Sequence, residues 1–86
     1  MHEMSIASSV LDAVRAEGLK YDGAHVSKVG LRIGEWSGVD TESLRFCFEA
    51  LVLGTDLEPL ALEIDFRPAN PNMDIAYLEL DDGVPP

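Results

Sequence analysis

Residues 26–66 read VSKVGLRIGEWSGVDTESLRFCFEALVLGTDLEPLALEIDF, and this stretch decides the fold because its apolar period changes twice. Over residues 26–34, apolar side chains alternate with polar or small ones, which is the pattern of a half-buried strand. From Asp40 to Gly54 the apolar residues recur at helical spacing, with Asp40 or Thr41 as the cap and Gly54 as the stop. Alternation returns at Leu60 and continues to Phe66. The stretch therefore predicts strand, helix and strand, a unit that favours parallel pairing of its two strands.

Working outward in both directions adds one helix and one strand. Residues 2–17 place apolar side chains at helical spacing before Gly18, a plausible helix stop. The predicted inner stripe of this first helix consists of Met4, Ala7, Val10, Leu11 and Val14, and that of the second helix of Leu44, Cys47, Phe48 and Leu51. Residues 21–24 form a predicted turn, and a Pro- and Asn-rich connector over 68–73 leads into a third strand over 75–80, followed by an acidic tail.

These elements predict one α+β domain in the order α-β-α-β-β. Two helices should cover one face of a three-stranded mixed sheet, with strands one and two parallel and strand three antiparallel to a neighbour. The other face of the sheet and at least one edge would remain open, which is a weakness in a chain of 86 residues.

Composition narrows the range of partners. The chain is 47% hydrophobic and 26% charged, which is typical of a globular domain. Sixteen acidic and six basic residues give a formal charge of −10, so nucleic acid and anionic membranes are poor partners. The same charge suits a cationic ligand or a basic protein, although it also serves solubility alone.

A single cysteine, Cys47, excludes an internal disulfide and a cysteine-based zinc cluster. Its neighbours Phe46 and Phe48 favour a buried, unreactive thiol over a nucleophile. The first residues contain an acid and no long apolar run, and no segment approaches 18 apolar residues. We therefore expect a soluble cytoplasmic domain without a signal peptide.

The first three residues, Met1, His2 and Glu3, are the strongest candidate for chemistry. A terminal amine, the His2 amide nitrogen and the His2 imidazole can close adjacent chelate rings around one metal ion. Square-planar Ni(II) or Cu(II) accepts such a nitrogen set. The alternative is an exposed terminal histidine without a ligand. A similar choice applies to Asp40, which either caps the second helix only or also binds metal through its carboxylate.

Three segments together resemble the HypA/HybF family of nickel metallochaperones, which assist the maturation of NiFe hydrogenases. They are residues 1–7 (MHEMSIA), 33–39 (IGEWSGV) and 44–51 (LRFCFEAL). The resemblance is continuous over about residues 1–66, and residues 75–80 are similar to the family's final strand. It implies nickel bound by the His2 imidazole, the backbone nitrogens of His2 and Glu3, and a carboxylate at Asp40.

The sequence departs from the family in one region. Family members carry a zinc module with two Cys-x-x-Cys pairs between the second and third strands. Here only residues 67–74 occupy that place, and they contain no cysteine. We therefore expect a single nickel-binding domain over residues 1–86 without structural zinc.

The resemblance also implies function and partners. It predicts a protein that binds Ni(II) at its N-terminus and delivers it, with a HypB-type maturation GTPase and the hydrogenase large subunit as partners. No set of nucleophile, base and orienting residue is evident, so we do not expect an enzyme. The alternative is a metal-independent interaction module that acts through sheet-edge pairing or homodimerisation. We expect a compact monomer, with a strand-exchanged homodimer as a minor form.

Overall fold

The structure is a computed structural model that describes residues 2–21 and 24–81. Met1, residues 22 and 23 of the predicted 21–24 turn, and the tail beyond Asp81 lie outside these residues. Helix α1 spans Glu3–Gly18 and α2 spans Thr41–Val52. The strands are β1 (His25–Gly34), β2 (Ala61–Arg67) and β3 (Met73–Asp81), and a short 3-10 turn, Glu35–Ser37, follows β1. The order α-β-α-β-β is confirmed, although β3 begins two residues earlier than the sequence predicts.

The three strands form one mixed sheet in the order β2-β1-β3. Strand β1 is parallel to β2, with Leu31 opposite Ile64, and antiparallel to β3, with Val29 opposite Leu78. Both pairings agree with the predicted mixed sheet. The first strand, which is the most buried of the three, is central, so each later strand forms an edge.

The core lies between the inner face of β1 and the two helices. Val29 and Ile33 on β1 are fully buried and Leu31 is nearly so, as their alternation predicts. The helices contribute Ala7, Val10, Leu11, Val14, Leu44, Phe48 and Val52, and the chain between α2 and β2 contributes Leu57 and Leu60. The two helices therefore cover the same face of the sheet.

The predicted core is wrong at its margins. Met4 is 49% exposed and does not belong to the buried stripe of α1, which consists of Ala7, Val10, Leu11 and Val14. Phe66, predicted to face inward, is 52% exposed on the edge strand β2. Cys47 is free and only partly buried against the core, so it is less enclosed than its apolar neighbours indicate.

Five residues, 68–72, connect β2 to β3 across the end of β1. Two strand spacings are roughly 10 Å, well within the reach of about 17 Å for five extended residues. Three hydrogen bonds hold the crossing: Gly34 N donates to Asn72 O at 2.7 Å, Trp36 N to Asn70 O at 2.9 Å, and Ala69 N to Glu35 Oε1 at 2.9 Å. The connector therefore closes over β1 rather than forming a hairpin.

The face of the sheet opposite the helices carries charge pairs and one tyrosine. Lys28 on the central strand lies 3.9 Å from Glu63 and 3.5 Å from Glu79, and Arg32 pairs with Asp74 at 2.8 Å. The Tyr77 hydroxyl donates to Glu63 at 2.6 Å, and this hydrogen bond is the main reason that the pKa of Tyr77 rises to about 12. Polar cross-strand pairs thus occupy the face that the sequence leaves without a helix.

Candidate metal centre

The N-termini of both helices meet at one place, through a side chain of the MHE segment. Glu3, the first residue of α1, accepts a hydrogen bond on Oε2 from the backbone N–H of Asp40 at 3.1 Å. Asp40 is the N-cap of α2, 37 residues further along the chain. This contact brings two of the sequence-predicted metal residues together.

Asp40 caps α2, as one of its two predicted roles requires. Its Oδ1 accepts from Glu42 N at 3.0 Å and from Ser43 N at 3.1 Å. These bonds satisfy two of the N–H groups that the first turn of a helix leaves without an acceptor. Both bonds use the same oxygen, and the side chain is exposed. Among the described residues, none donates a hydrogen bond to the second carboxylate oxygen, Oδ2. This oxygen is therefore free to bind another ligand.

His2 occupies the N-cap position of α1. Its side chain is exposed and makes no capping hydrogen bond, and its carbonyl accepts the first helical bond, from Ile6 N at 3.1 Å. The amide of Glu3 lies in the first turn, where N–H groups have no helical acceptor. Since the positive end of the helix dipole also lies there, a negative charge at this amide is favoured. The imidazole and the Glu3 nitrogen are thus both free of helical bonding.

Side chains alone do not build a metal site in the described ranges. Within residues 2–21 and 24–81, no group of three or more His, Cys, Asp and Glu side chains lies close enough to hold an ion. The predicted ligand Met1 falls outside those ranges. A metal at this end of the molecule would therefore need backbone nitrogens as well as His2 and Asp40.

The remaining candidates from the sequence lie elsewhere or have other roles. His25 is exposed at the first position of β1, whereas Gly34 is at the last position of the same strand. Glu35 anchors the connector through Ala69 N, a role that its turn position did not indicate. Trp36, in the short 3-10 turn before Asp40, is 66% exposed. The contact that sequence reasoning missed is that of the Glu3 side chain, although its position four residues before Ala7, on the same face of α1, was a signal.

No helix among the described residues is long and apolar enough to cross a membrane. This finding is compatible with the short apolar runs of the sequence.

Comparison with known proteins gives a consistent picture. Residues 1–72 match the HypA family, described as a metallochaperone for hydrogenase and urease nickel incorporation. That description agrees with the expectation that the chain is not an enzyme.

Individual relatives carry the same name, hydrogenase maturation factor HypA. The protein from Chlorobium limicola is 48% identical over 65 residues, covering 76% of this chain and 56% of the relative. That from Geotalea daltonii is 47% identical over 70 residues, covering 81% and 61%. That from Methanopyrus kandleri is 45% identical over 67 residues, covering 78% and 47%.

The match spans about half the length of these curated relatives, between 47% and 61% in the three examples. It nevertheless includes the MHE segment, β1, the turn with Asp40 and α2, because the family match extends over residues 1–72. The two converging helix N-termini described above thus lie within the matched region. The chain belongs to the HypA family of nickel-incorporation metallochaperones.

Proposed function

We propose that this chain binds one Ni(II) ion at its N-terminus and passes it on during hydrogenase maturation. The ligands would be the His2 imidazole, the backbone nitrogens of His2 and Glu3, and the Asp40 carboxylate, with the Met1 amine as the alternative terminal nitrogen. The observation that supports this most strongly is the 3.1 Å hydrogen bond from Asp40 N to Glu3 Oε2. It ties the segment carrying His2 to the residue that would supply the carboxylate.

The chemistry of this donor set accounts for its position at a helix start. An amide nitrogen binds metal only after it loses its proton, and within a helix that nitrogen would be used in the hydrogen-bond ladder. The Glu3 amide has no helical acceptor, and the helix dipole favours its anionic form. Bound nickel must compete with protons for these nitrogens, so acid should release it.

Delivery requires partners, and these belong to the proposal as well. A HypB-type maturation GTPase and the large subunit of a hydrogenase are the partners that family membership suggests. The formal charge of −10 suits a basic surface on either one. We also propose that the chain acts without structural zinc, since its single cysteine, Cys47, lies in α2 and not in the connector.

A second candidate is a metal-independent interaction module of the maturation machinery. It is favoured by the side chains alone, which form no group of three potential ligands within residues 2–21 and 24–81. The two candidates differ in what happens when nickel is added, because only the first predicts a stoichiometric complex.

The experiment is a visible-absorption titration of the chain with Ni(II). A planar nickel complex with deprotonated amide nitrogens should give a d–d band that saturates at one equivalent and disappears on acidification. If only the spectrum of hydrated nickel is seen at neutral pH, the metal-independent module is the better account.

A further inference from the structure

A shallow groove runs along the outward side of α2 beside the edge strand β2. It has a volume of about 310 Å³ and is lined by Thr41, Glu42, Arg45, Phe46, Glu49 and Ile64. Its lining is more apolar than polar, which is unusual for an exposed helix face in so acidic a chain. None of the proposed nickel ligands lines it, and Ile64 is the one lining residue that also packs against the core.

An exposed aromatic ring lines this groove. Phe46 is 71% exposed although it lies in the middle of α2, and Ile64 on β2 is only half-buried beside it. An isolated exposed apolar residue needs no explanation, but an aromatic ring and an aliphatic side chain lining one groove form a typical anchor pocket.

The rim of the groove is negatively charged. Glu42, Phe46 and Glu49 are spaced i, i+4 and i+7, so the two carboxylates flank the ring on one face of α2. Neither glutamate forms an ion pair within residues 2–21 and 24–81. The only basic residue of the lining, Arg45, donates to the backbone carbonyl of Leu62 at 2.9 Å. The Arg45 guanidinium is therefore hydrogen-bonded to the edge of β2. The Glu42 and Glu49 carboxylates face solvent without an ion-pair partner among the described residues.

We infer that this groove docks an extended segment of a protein partner, in which two basic side chains bracket an apolar anchor. The seven-residue separation of Glu42 and Glu49 corresponds to about 10 Å along a helix. An extended chain in the polyproline II conformation covers nearly that distance in three residues, about 9 Å, and its side chains at positions i and i+3 lie on the same face. A basic–apolar–apolar–basic sequence fits, with one apolar side chain against Phe46 and Ile64.

The net negative charge of the chain disfavours a second copy of it as the occupant of the groove. Each copy carries a formal charge of −10, so pairing two such surfaces would bring unpaired carboxylates towards a like charge. A basic partner removes that repulsion, and charge complementarity speeds its association.

The position of the groove relates partner docking to the proposed metal centre. It begins at Thr41, the residue next to Asp40, and so adjoins the proposed metal centre. A partner docked along α2 would reach the nickel end of the molecule. Docking itself requires no metal, and the inference therefore goes beyond nickel binding.

The test is a nuclear magnetic resonance titration of the ¹⁵N-labelled full chain. One probe is a blocked peptide with Lys-Val-Leu-Lys between glycines, and the other replaces both lysines with glutamate. Amide shifts should change at residues 41–49 and 62–64, and the lysine peptide should bind at least about tenfold more tightly than the glutamate peptide. Added salt should weaken binding, and the double variant Glu42→Gln, Glu49→Gln should bind more weakly and show a smaller salt dependence than the parent.

Matched variants locate the anchor. Phe46→Ala should weaken binding of the lysine peptide by at least about tenfold. Leu53→Ala should leave it unchanged, since Leu53, at the C-cap of α2, is 72% exposed but does not line the groove. His2→Ala should bind the peptide like the parent, which separates this inference from the nickel proposal.

Four results would overturn the inference. They are equal affinities for Phe46→Ala and Leu53→Ala, equal affinities for the two peptides, shift changes spread over the surface, and the absence of shift changes at millimolar peptide. Concentration-dependent shifts at the groove without peptide would identify a second copy as the occupant and would overturn it as well.

Discussion

At the scale of single residues, Glu3 and Asp40 each serve two elements. Glu3 is the first residue of α1, and its carboxylate accepts a hydrogen bond from the backbone N–H of Asp40. The Asp40 carboxylate in turn accepts two hydrogen bonds from the first turn of α2. Two negative side chains at two helix starts also complement both helix dipoles. His2 is therefore attached to a well-supported junction and not to a loose end of the chain.

Replacement of Asp40 separates its capping role from its proposed role as a ligand. Asn caps a helix about as well as Asp, so Asp40→Asn should leave the free energy of unfolding nearly unchanged, whereas Asp40→Ala should lower it by about 1 kcal/mol. Both variants should weaken nickel binding, because neither supplies a carboxylate. Urea unfolding and nickel calorimetry measure the two effects. An Asp40→Asn isotherm identical to that of the parent would reduce Asp40 to a cap.

Sequence alone predicts most residues of the candidate site but not their mutual contacts. His2, Glu3 and Asp40 stand out through residue type and position. The Glu3–Asp40 contact, whose partners are 37 positions apart in the chain, depends on how α1 and α2 pack. Met4 and Trp36 illustrate the same limit, because an apolar side chain at the end of an element is buried only if a neighbour covers it. Neither is covered here.

At the scale of elements, the connector over residues 68–72 determines how the strands are arranged. A five-residue link between adjacent antiparallel strands is a common hairpin length, and the sequence did not distinguish a hairpin from a crossing. The structure has the crossing, in which backbone groups of Gly34 and Trp36 bind the connector. The periodicity predicted which segments are strands, whereas the order β2-β1-β3 depends on these long-range backbone bonds.

Gly34 should be intolerant of a side chain for the same reason. A Cβ atom there would overlap the backbone carbonyl of Asn70, which cannot move without breaking the crossing. We expect Gly34→Ala to lower the free energy of unfolding by about 1–3 kcal/mol. The matched control is Gly18→Ala in α1, where a Cβ would meet only a Val26 methyl at 3.8 Å. If urea unfolding gives both variants the same stability, the close crossing is wrong.

The hydrogen bond from Tyr77 on β3 to Glu63 on β2 predicts that stability depends on alkaline pH. The hydrogen bond to Glu63 raises the pKa of Tyr77 from 10.0 to about 12. The stabilisation from this bond is complete below pH 10, where Tyr77 is protonated in both folded and unfolded chains, and it is lost as pH rises through 12. Unfolding midpoints should therefore fall more steeply from pH 10 to 12 in the parent than in Tyr77→Phe. Parallel curves for the two proteins would contradict this account.

At the scale of the whole molecule, the described residues form an elongated body of 42 × 23 × 20 Å. Among the described residues, β2 and β3 each pair with β1 alone, so both edges of the sheet are open except where Leu62 O accepts from Arg45. Edge strands invite pairing with another chain, but the net charge of −10 opposes close approach of two copies.

We therefore expect a monomer in solution, with a strand-exchanged dimer only as a minor form. Light scattering over a hundredfold range of protein concentration should give a mass close to 9.4 kDa throughout. Raising the salt concentration screens the repulsion between two copies, so the dimer fraction should increase. A constant dimeric mass at all concentrations would contradict the monomer.

The central claim is that nickel binds through His2, and calorimetric titration of three proteins tests it most directly. The parent and His25→Ala should each bind one Ni(II) per chain with the same affinity, since His25 is exposed at the other end of β1. His2→Ala should lose most of that affinity, because both proposed donor sets depend on its imidazole. If His2→Ala binds nickel as tightly as the parent, the N-terminal site is wrong.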